Sequence, residues 1–383
     1  MKVLILGGDG YLGWPTAMHL SKQGHDVAVV DNYLRRNLSR EEDVEVLFDV
    51  PNLHERVCLW EEISGLKLSG IYIGDLTDWN FTAKVFQEFC PDAIVHYAEQ
   101  PSGPYSMLRR EAASLTLSNN IGVTANVIFA VREFCPNAHI IKLGTMGEYG
   151  TPNIDIEEGW LEIEHNSRSD KFLFPRQAGS LYHTTKIMDT DLLWYYVRMW
   201  GLRVTDLMQG PVYGLVTEEN YADERLFPFF NYDELFGTVI NRFVVQAVGG
   251  YPLTVYGKGG QTRGYLNIKD TLHCIRLSLE NPANIGELRI FNQFTETFSV
   301  NQLADKVQVV GKQLGLDVKI SAIENPRKEK EEHYYNPKHT GLLELGLQPN
   351  YLTDEVLAEM MQYIMKHKKN IHHHKIFRGT KWA

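Results

Sequence analysis

The chain has 383 residues, of which 44% are hydrophobic and 22% charged, with a formal net charge of -10 and a pI near 5.8. This length suits one large globular domain or two of ordinary size. The acidic balance argues against a nucleic-acid partner, because proteins that bind nucleic acids in general are usually basic.

The first 210 residues alternate short apolar runs with helical stretches. The apolar runs are KVLILG, DVAVVD, GIYIGD, DAIVHYA, HIIKLGT and RVTDLMQG. They are rich in Val, Ile and Leu throughout, which is typical of strands covered on both faces. The order predicts an α/β fold, a Rossmann-type doubly wound parallel sheet. Residues 33–68 are too long for a simple crossover, so we expect an inserted helix or loop there.

After Gly210 this alternation ends. Residues 211–235 are rich in Pro, Tyr, Asp and Glu and are predicted to form a loop, and helices and short strands such as LTVYG, GYLNI and LRIFN follow. We expect a nucleotide-binding domain over 1–210 and a smaller α/β substrate lobe mainly over 211–383. The two are partly interleaved, because the chain is expected to return to the first domain within 236–295. The His-rich tail HKKNIHHHK is predicted to be solvated rather than a metal site.

Several further features of the sequence bear on the cellular compartment and on membrane or metal binding. The four cysteines are widely spaced without a C-x-x-C pair, which favours reduced thiols over a disulfide framework or a zinc site. No apolar run approaches the ~20 residues of a membrane span. The start MKVLILGG enters a strand at once and leaves no room for a removable signal peptide. We therefore expect a cytoplasmic protein with no membrane partner and no metal.

A glycine motif follows the first predicted strand. Residues 8–13 read G-D-G-Y-L-G, and Asp31 ends the second strand 18 residues after Gly13. Such glycines let the backbone approach a pyrophosphate at a helix N-terminus, and the acid accepts hydrogen bonds from ribose. This favours NAD over NADP, although Arg35 and Arg36 weaken the preference. Asp75 either contacts adenine or caps a helix.

A Y-x-x-x-K pattern, Tyr182 to Lys186, lies in the predicted helix 180–198. The i, i+4 spacing places the phenol and the ammonium on one helix face. We expect the ammonium to lower the pKa of the phenol. Tyr182 could then take a proton from a sugar hydroxyl, and Lys186 could also hold the nicotinamide ribose. Thr145, at the end of the strand HIIKLGT, presents a hydroxyl nearby.

These motifs resemble the short-chain dehydrogenase/reductase superfamily in its extended branch, which modifies nucleotide sugars. The resemblance implies a Thr145/Tyr182/Lys186 triad, an asparagine at Asn119 or Asn120, and NAD that is retained and recycled while it oxidises C4 of the sugar. It also implies a homodimer formed through two helices per subunit. The residues expected around NAD are Gly7, Gly10, Tyr11, Leu12, Gly13, Asp31, Asn32, Arg35, Arg36, Asp75, Leu76, Asn119, Tyr182, Lys186 and Val212.

The turn GTMGEYG at 144–150 narrows the resemblance. Related dehydratases read T-D-E-x-Y-G, but here Met146 and Gly147 replace the acid pair and the carboxylate stands at Glu148. By itself this would suggest a 4-epimerase. However, the longer segment GTMGEYGTPNIDIEEG resembles the UDP-sulfoquinovose synthase family. The same holds for GGDGYLGW, YHTTK, TVYGKGGQTRGYL, FNQFTE and NPRKEKEEHYYNPKHT.

That resemblance implies conversion of UDP-glucose and sulfite to UDP-sulfoquinovose, with formation of a carbon–sulfur bond. Oxidation at C4 acidifies the C5 hydrogen, the C6 hydroxyl leaves as water, sulfite adds to C6, and C4 is reduced again. Glu148 and His183 are the candidates for the acid or base at C5–C6. The alternatives are a packed or solvent-facing histidine at His183 and a loop carboxylate that caps a backbone amide at Glu148.

Substrate contacts are expected mainly in the second lobe, where arginines suit a diphosphate. The assigned residues are Thr145, Tyr182, Gln209, Arg242, Thr254, Val255, Tyr256, Gln261, Arg263 and Arg327. One departure concerns residues 99–102, Glu-Gln-Pro-Ser, where plant-type members of the family read E-Q-R-S. Pro101 brings no charge, and Arg109 or Arg110 are the candidates to compensate.

Two other functions remain open at this point. One is a UDP-glucose 4-epimerase or a nucleotide-sugar 4,6-dehydratase. The other is a non-catalytic, NAD-binding regulatory protein. The intact Thr145, Tyr182 and Lys186 argue against the second, since a sensor needs no proton-transfer residue.

Overall fold

The computed structural model describes residues 1–44, 46–325 and 333–377. The first half contains β1 (Lys2–Leu6), α1 (Gly13–Lys22), β2 (Asp26–Asp31), α2 (Leu34–Glu41), α3 (Leu53–Ser64), β3 (Gly70–Ile73), α4 (Trp79–Phe89), β4 (Ala93–His96), α5 (Gly103–Ser106), α6 (Arg110–Phe134) and β5 (His139–Thr145). After a 3-10 turn at Met146–Glu148 come β6 (Trp160–His165), β7 (Arg168–Leu173), α7 (Leu181–Trp200), β8 (Arg203–Gln209) and β9 (Val212–Tyr213). The remainder contains α8 (Val239–Gly249), β10 (Leu253–Tyr256), β11 (Thr262–Asn267), α9 (Ile268–Glu280), β12 (Leu288–Gln293), β13 (Glu296–Ser299), α10 (Val300–Gln313), β14 (Ile320–Ile323), α11 (Gly341–Glu344), α12 (Asp354–Lys366) and α13 (His373–Ile376).

The predicted parallel sheet is confirmed. Seven strands lie in the order β12-β8-β5-β4-β1-β2-β3, and every neighbouring pair is parallel. The six apolar runs of the sequence are six of these strands. The seventh, β12, is the LRIFN segment, which the sequence analysis grouped with the second lobe. The chain therefore returns to the sheet at 288–293 and pairs β12 with β8.

The long connection after β2 contains two helices, α2 and α3, as its length suggested. Asn52 caps helix α3: its side chain accepts the N–H of Glu55 while Glu55 accepts the N–H of Asn52, both at 3.1 Å. This reciprocal capping satisfies amides that a helix start leaves unpaired. One face of α3 is buried through Leu53, Val57 and Trp60 against the first domain.

The second lobe has its own apolar core. Helices α8, α10 and α12 pack together there, beside the parallel pair β10–β14 and the sheet β13-β11-β9. The expectation of a solvated tail over 367–375 is wrong in part, because Ile371 and Lys375 are buried. The tail is also fixed by Tyr232, whose phenol donates to the carbonyl of Asn370 at 3.1 Å.

Helix α6 is long and apolar enough, by length and composition, to cross a membrane. In the fold it packs against α4, α5 and α7 and contributes Val123, Val127 and Ile128 to the core of the first domain. It is therefore a core helix of a globular domain. The four cysteines are free thiols.

Candidate active site

A cavity of about 980 Å³ lies where the carboxyl ends of the parallel strands face the second lobe. Open α/β sheets bind their ligands at this end. The assigned cofactor residues that line it are Gly7, Gly10, Tyr11, Leu12, Gly13, Asp31, Asn32, Arg35, Leu76, Asn119, Tyr182 and Val212. The assigned substrate and catalytic residues that line it are Thr145, Tyr182, His183, Gln209, Arg242, Thr254, Tyr256, Gln261 and Arg263.

The assigned residues that do not line the cavity are Arg36, Asp75, Glu148, Lys186 and Val255. Arg327 lies outside the described residues. Of this group, Asp75 accepts the N–H of Thr77 at 2.9 Å, so its carboxylate shapes the turn before α4, and the neighbouring Leu76 faces the cavity instead. Val255 is buried in the core of the second lobe.

The glycine loop joins β1 to α1. Gly13 comes so close to the carbonyl of Gly7 that an added Cβ would overlap it, and Gly7 has a φ of +88°, which glycine adopts without strain. The phenol of Tyr11 donates to the carbonyl of Gly214 at 2.6 Å and accepts from Asn241 at 3.1 Å, which ties the loop to the second lobe. A glycine cradle at a helix N-terminus fits the pyrophosphate of a dinucleotide.

Asp31 faces the cavity at the end of β2. Its carboxylate accepts the N–H groups of Asp9 and Tyr33 at 2.8 and 2.7 Å. Burial raises the pKa of Asp31 to about 6, and the charge of Asp9 adds to this rise. Arg36 binds Asp9 with two nitrogens, at 2.6 and 2.9 Å, and Arg56 pairs with it as well. Since Arg36 is held there, the structure does not place it where it would favour NADP.

Arg35 is the arginine of this pair that lines the cavity. Its Nη2 donates to Asn231 at 2.9 Å, and its guanidinium lies 3.5 Å from the ring centroid of Phe236. Burial lowers the pKa of Arg35 to about 9. This stacked and partly satisfied cation lines the same cavity as Asp31.

Asn119 and Asn120 lie on α6 and differ in exposure to the cavity. Asn119 lines it and donates to Asn120 at 3.0 Å. Asn120 is buried, accepts the N–H of Gln100 at 2.9 Å and donates to Thr185 at 3.0 Å. Asn119 is thus the one placed towards a ligand, while Asn120 links the loop after β4 to helix α7.

Thr145 ends β5 and caps the 3-10 turn that follows. Its Oγ1 accepts the N–H of Gly147 at 3.2 Å, and the carboxylate of Glu148 accepts the N–H of Thr145 at 3.2 Å. The two bonds form a capping box, which fixes the turn in one conformation. Thr145 therefore lines the cavity on a rigid support.

Glu148 lies behind this turn rather than in the cavity, with its side chain fully buried. Lys142 lies 3.3 Å and Arg176 3.4 Å from its carboxylate. Burial raises the pKa of Glu148, and the charge of Lys142 opposes that rise. Of the two acid/base candidates, the structure thus gives Glu148 a supporting position in a buried ion network.

Lys142 is the centre of this network. Its Nζ donates to Asp206 at 3.1 Å, to Thr190 at 2.7 Å and to the backbone carbonyl of Lys186 at 3.1 Å. Burial would lower the pKa of Lys142, but Asp206 and Glu148 outweigh burial and raise it. One ammonium therefore joins β5, β8 and α7 beneath the Thr145 turn.

Lys142 and Asp206 were not predicted from the sequence, although the sequence contains a signal for them. Each is a charged residue in the middle of a buried strand, and β5 pairs with β8 so that the two stand opposite each other. Buried charges are rare unless paired. Such matched interruptions of two apolar runs therefore indicate a buried ion pair.

Tyr182 and Lys186 lie in the first turns of α7, which Ser180 caps by accepting the N–H of His183 at 3.2 Å. The ammonium of Lys186 lies 5.9 Å from the centroid of the Tyr182 ring and 2.6 Å from the carboxylate of Glu99. The expected lowering of the phenol pKa is not what the structure gives. Burial raises the pKa of Tyr182, and the charges of Glu99 and Glu148 add to this rise.

His183 lines the cavity beside Tyr182, with ring centroids 5.3 Å apart. Its imidazole lies over Gly147, so that an added Cβ on Gly147 would overlap Nε2 of His183. Gly147 stands where the dehydratase motif carries a carboxylate. Loss of that side chain is what makes room for the imidazole, which brings a titratable group to the same part of the cavity.

The second lobe closes the cavity with two arginines. Arg242 donates to Thr254 at 3.2 Å and lies 5.2 Å from the ring centroid of Tyr256. Arg263 donates to the carbonyl of Thr262 at 2.8 Å and contacts His333 at 2.8 Å. Two buried or half-buried guanidinium groups on one wall suit a diphosphate.

Pro101 also lines the cavity, and the two proposed substitutes for the missing arginine do not. Arg109 is bound to Glu42 at 2.6 Å, and Arg110 lies 3.2 Å from Glu111 on the surface. Of the described residues, Arg35, Arg242 and Arg263 are the arginines that line the cavity.

The fold and this site define a nucleotide-sugar enzyme of the extended short-chain dehydrogenase/reductase class. The sequence pattern of the NAD dependent epimerase/dehydratase family matches residues 3–292. The chain is 48% identical over 381 residues to the chloroplastic UDP-sulfoquinovose synthase of Spinacia oleracea, covering 100% of this chain and 79% of the relative. It is 46% identical over 385 residues to the UDP-sulfoquinovose synthase of Sulfolobus acidocaldarius, covering 100% and 98%.

The chain therefore belongs to the NAD dependent epimerase/dehydratase family, and within it to the family of the UDP-sulfoquinovose synthases. The fold is also that of solved epimerases. The UDP-glucose 4-epimerase from Bifidobacterium longum, in complex with NAD+ and UDP, superposes with a TM-score of 0.72 at 20% identity, covering 97% of this chain and 100% of that one.

Proposed function

We propose that this protein converts UDP-glucose and hydrogen sulfite to UDP-sulfoquinovose and water. The reaction exchanges the C6 hydroxyl for a sulfonate and is redox-neutral overall. The observation that carries the proposal is the identity of 46–48% along the whole chain to two UDP-sulfoquinovose synthases. A cavity that joins a dinucleotide cradle to two arginines of the second lobe supports it.

The cavity residues fit NAD as a retained cofactor, with the glycine cradle at the pyrophosphate, Asp31 at a ribose and Asn119 also in the lining. When bound, NAD supplies reversible oxidation at C4 of the sugar. The side chains of the protein then carry out the proton transfers. Tyr182 takes the proton of the C4 hydroxyl and later returns it, while Thr145 orients that hydroxyl by a hydrogen bond.

His183 is the residue that we place at C5–C6. A ketone at C4 acidifies the C5 hydrogen, so loss of the C6 hydroxyl as water needs one base and one acid in turn. An imidazole titrates near neutral pH and can serve as either. It occupies the space above Gly147, and Glu148, with its buried ion pairs, has no such access. We therefore propose His183 for proton transfer and Glu148 for holding the turn.

The test is incubation with UDP-glucose in the presence and absence of sulfite, followed by mass spectrometry of the nucleotide sugars. We expect a sulfonated UDP-hexose when sulfite is present. A 4-epimerase would give an isomer of unchanged mass, and a 4,6-dehydratase a product lighter by one water, without need of sulfite. A regulatory protein would give neither. Any of these outcomes in place of the sulfonated sugar would refute the proposal.

A homodimer is the assembly that we propose. The outward faces of α6 and α7 carry Phe129, Tyr195 and Met199 with 45, 50 and 56% of their surface exposed, and large exposed apolar patches are typical of interfaces. Light scattering should give twice the chain mass, and Tyr195→Lys together with Phe129→Lys should give monomers. A monomeric wild-type protein would contradict this assembly.

The cytoplasmic location stays a prediction, which subcellular fractionation would test.

A further inference from the structure

Glu99 is a charged residue in the cavity to which the reaction proposed above assigns no part. It follows β4, and its N–H donates to the carbonyl of Tyr97 at 2.8 Å in a tight turn. The side chain is 2% exposed and lines the cavity. Its Oε1 lies 2.6 Å from Nζ of Lys186, which also donates to the carbonyl of Leu143. The catalytic ammonium is thus held between a carboxylate and a backbone carbonyl.

The surroundings of Glu99 are unlike those of a structural acid. Among the described residues, neither of its oxygens accepts a hydrogen bond apart from the ion pair with Lys186. His96 lies 3.9 Å from Oε1 of Glu99, and burial lowers the pKa of His96 to about 3, so this imidazole stays neutral. Buried polar groups are usually satisfied, and those that are not tend to mark functional sites.

The charged and titratable groups around Tyr182 and Glu99 come from four elements. They are Lys142 on β5, Glu148 on the 3-10 turn, His96 at the end of β4, and His183, Lys186 and Asp189 on α7. Burial raises the pKa of Asp189 well above its ordinary range, and the charge of Glu99 adds to this rise. Among the described residues, Glu99 is the carboxylate that forms an ion pair with Lys186.

We propose that Glu99 is a positioning residue that holds the Lys186 ammonium and sets the pH range in which Tyr182 exchanges its proton. The inference rests on the function proposed above, in which C4 is first oxidised and then reduced within one cycle. Tyr182 must therefore act as a base and later as an acid. An ammonium without a counter-charge would favour the tyrosinate throughout and weaken the second step. By pairing with Lys186, Glu99 lets Tyr182 accept a proton during oxidation at C4 and donate it again during reduction.

The test uses the NAD-loaded protein and three variants, Glu99→Gln, Glu99→Asp and Glu219→Gln. The last is a matched control, because Glu219 is a buried acid paired with His19 at 2.9 Å away from this site. Formation of NADH from UDP-glucose without sulfite is followed by absorbance across the neutral and alkaline range. We expect the rising limb of the profile to move to lower pH by about one unit in Glu99→Gln. Glu99→Asp and Glu219→Gln should keep the wild-type midpoint.

A second measurement does not depend on turnover. The same proteins are treated briefly with acetic anhydride, and acetylation of Lys186 is quantified by mass spectrometry. In wild type the carboxylate of Glu99 holds the ammonium of Lys186 in an ion pair at 2.6 Å, so acetylation of Lys186 should be faster in Glu99→Gln and unchanged in Glu219→Gln. An unshifted profile together with unchanged acetylation would overturn the proposal. If wild type forms no NADH, the function proposed above fails, and the acetylation result alone then decides about Glu99.

Discussion

The two ends of the cavity are built in different ways. At the cofactor end, the glycine loop and Asp31 lie close together in the chain, and Asp31 is fixed by backbone N–H groups of Asp9 and Tyr33. At the sugar end, the Thr145 turn is held by Lys142, which binds residues of α7 and β8. The cofactor end is thus formed by a local sequence motif, whereas the sugar end is formed by segments that lie far apart in the sequence. Changes at each end should therefore affect different steps.

The largest effect is expected for His183→Ala. If this imidazole moves protons at C5–C6, formation of the sulfonated product should fall by a factor of about 10²–10⁴. NADH formation from UDP-glucose, which depends on Tyr182, should persist. Product assay by mass spectrometry and absorbance of the cofactor measure the two steps separately. Full turnover in the variant would remove His183 from the mechanism.

Replacement of Lys142 tests whether the sugar end depends on its buried network. Lys142→Met leaves Glu148 and Asp206 without their shared cation, and we expect the free energy of unfolding to fall by about 3–5 kcal/mol. Lys84→Met is the matched control, because Lys84 forms an exposed pair with Glu88 at 3.8 Å and should change stability by less than about 1 kcal/mol. Denaturant titration measures both. Equal losses in free energy of unfolding would show that the buried network stabilises the protein no more than an exposed ion pair does.

Gly147→Ala should separate the two ends without removing any functional group. The added methyl overlaps the imidazole of His183 and displaces it, so product formation should fall about 10²-fold. The affinity for NAD should stay as in wild type. In the control Gly122→Ala the added carbon meets a methyl of Thr77 at 3.6 Å, an ordinary contact. Undiminished product formation in Gly147→Ala would show that His183 is not confined by this turn.

The smallest effect concerns pH and the cofactor end. Burial and the charge of Asp9 raise the pKa of Asp31 to about 6, and in the proposed site the ribose hydroxyls donate to its ionised form. Below that pH the carboxyl is protonated, so the affinity for NAD should weaken by about tenfold for each further pH unit. Calorimetric titration at several pH values measures this. Asp31→Asn should abolish the dependence, and a wild-type affinity that is constant through pH 6 would contradict the role of Asp31.

This contrast also explains what could be predicted from the sequence. The parallel sheet, the glycine cradle and Thr145, Tyr182 and His183 in the cavity follow from apolar runs and short motifs. The supporting position of Glu148 could not be foreseen, because it depends on Lys142 and Arg176, which meet it only in the folded chain. Glu99 had no signal beyond its place after a strand. The raised pKa of Tyr182 depends on burial, which spacing along a helix does not report.

The proposed reaction requires that the hexose lose its C6 oxygen. Incubation of the NAD-loaded protein with sulfite and UDP-glucose labelled with oxygen-18 at C6 tests it directly. We predict that the label leaves as water and that the sulfonated sugar carries none of it. Retention of the label in the nucleotide sugar, with sulfite present and NAD bound, would contradict the proposed reaction.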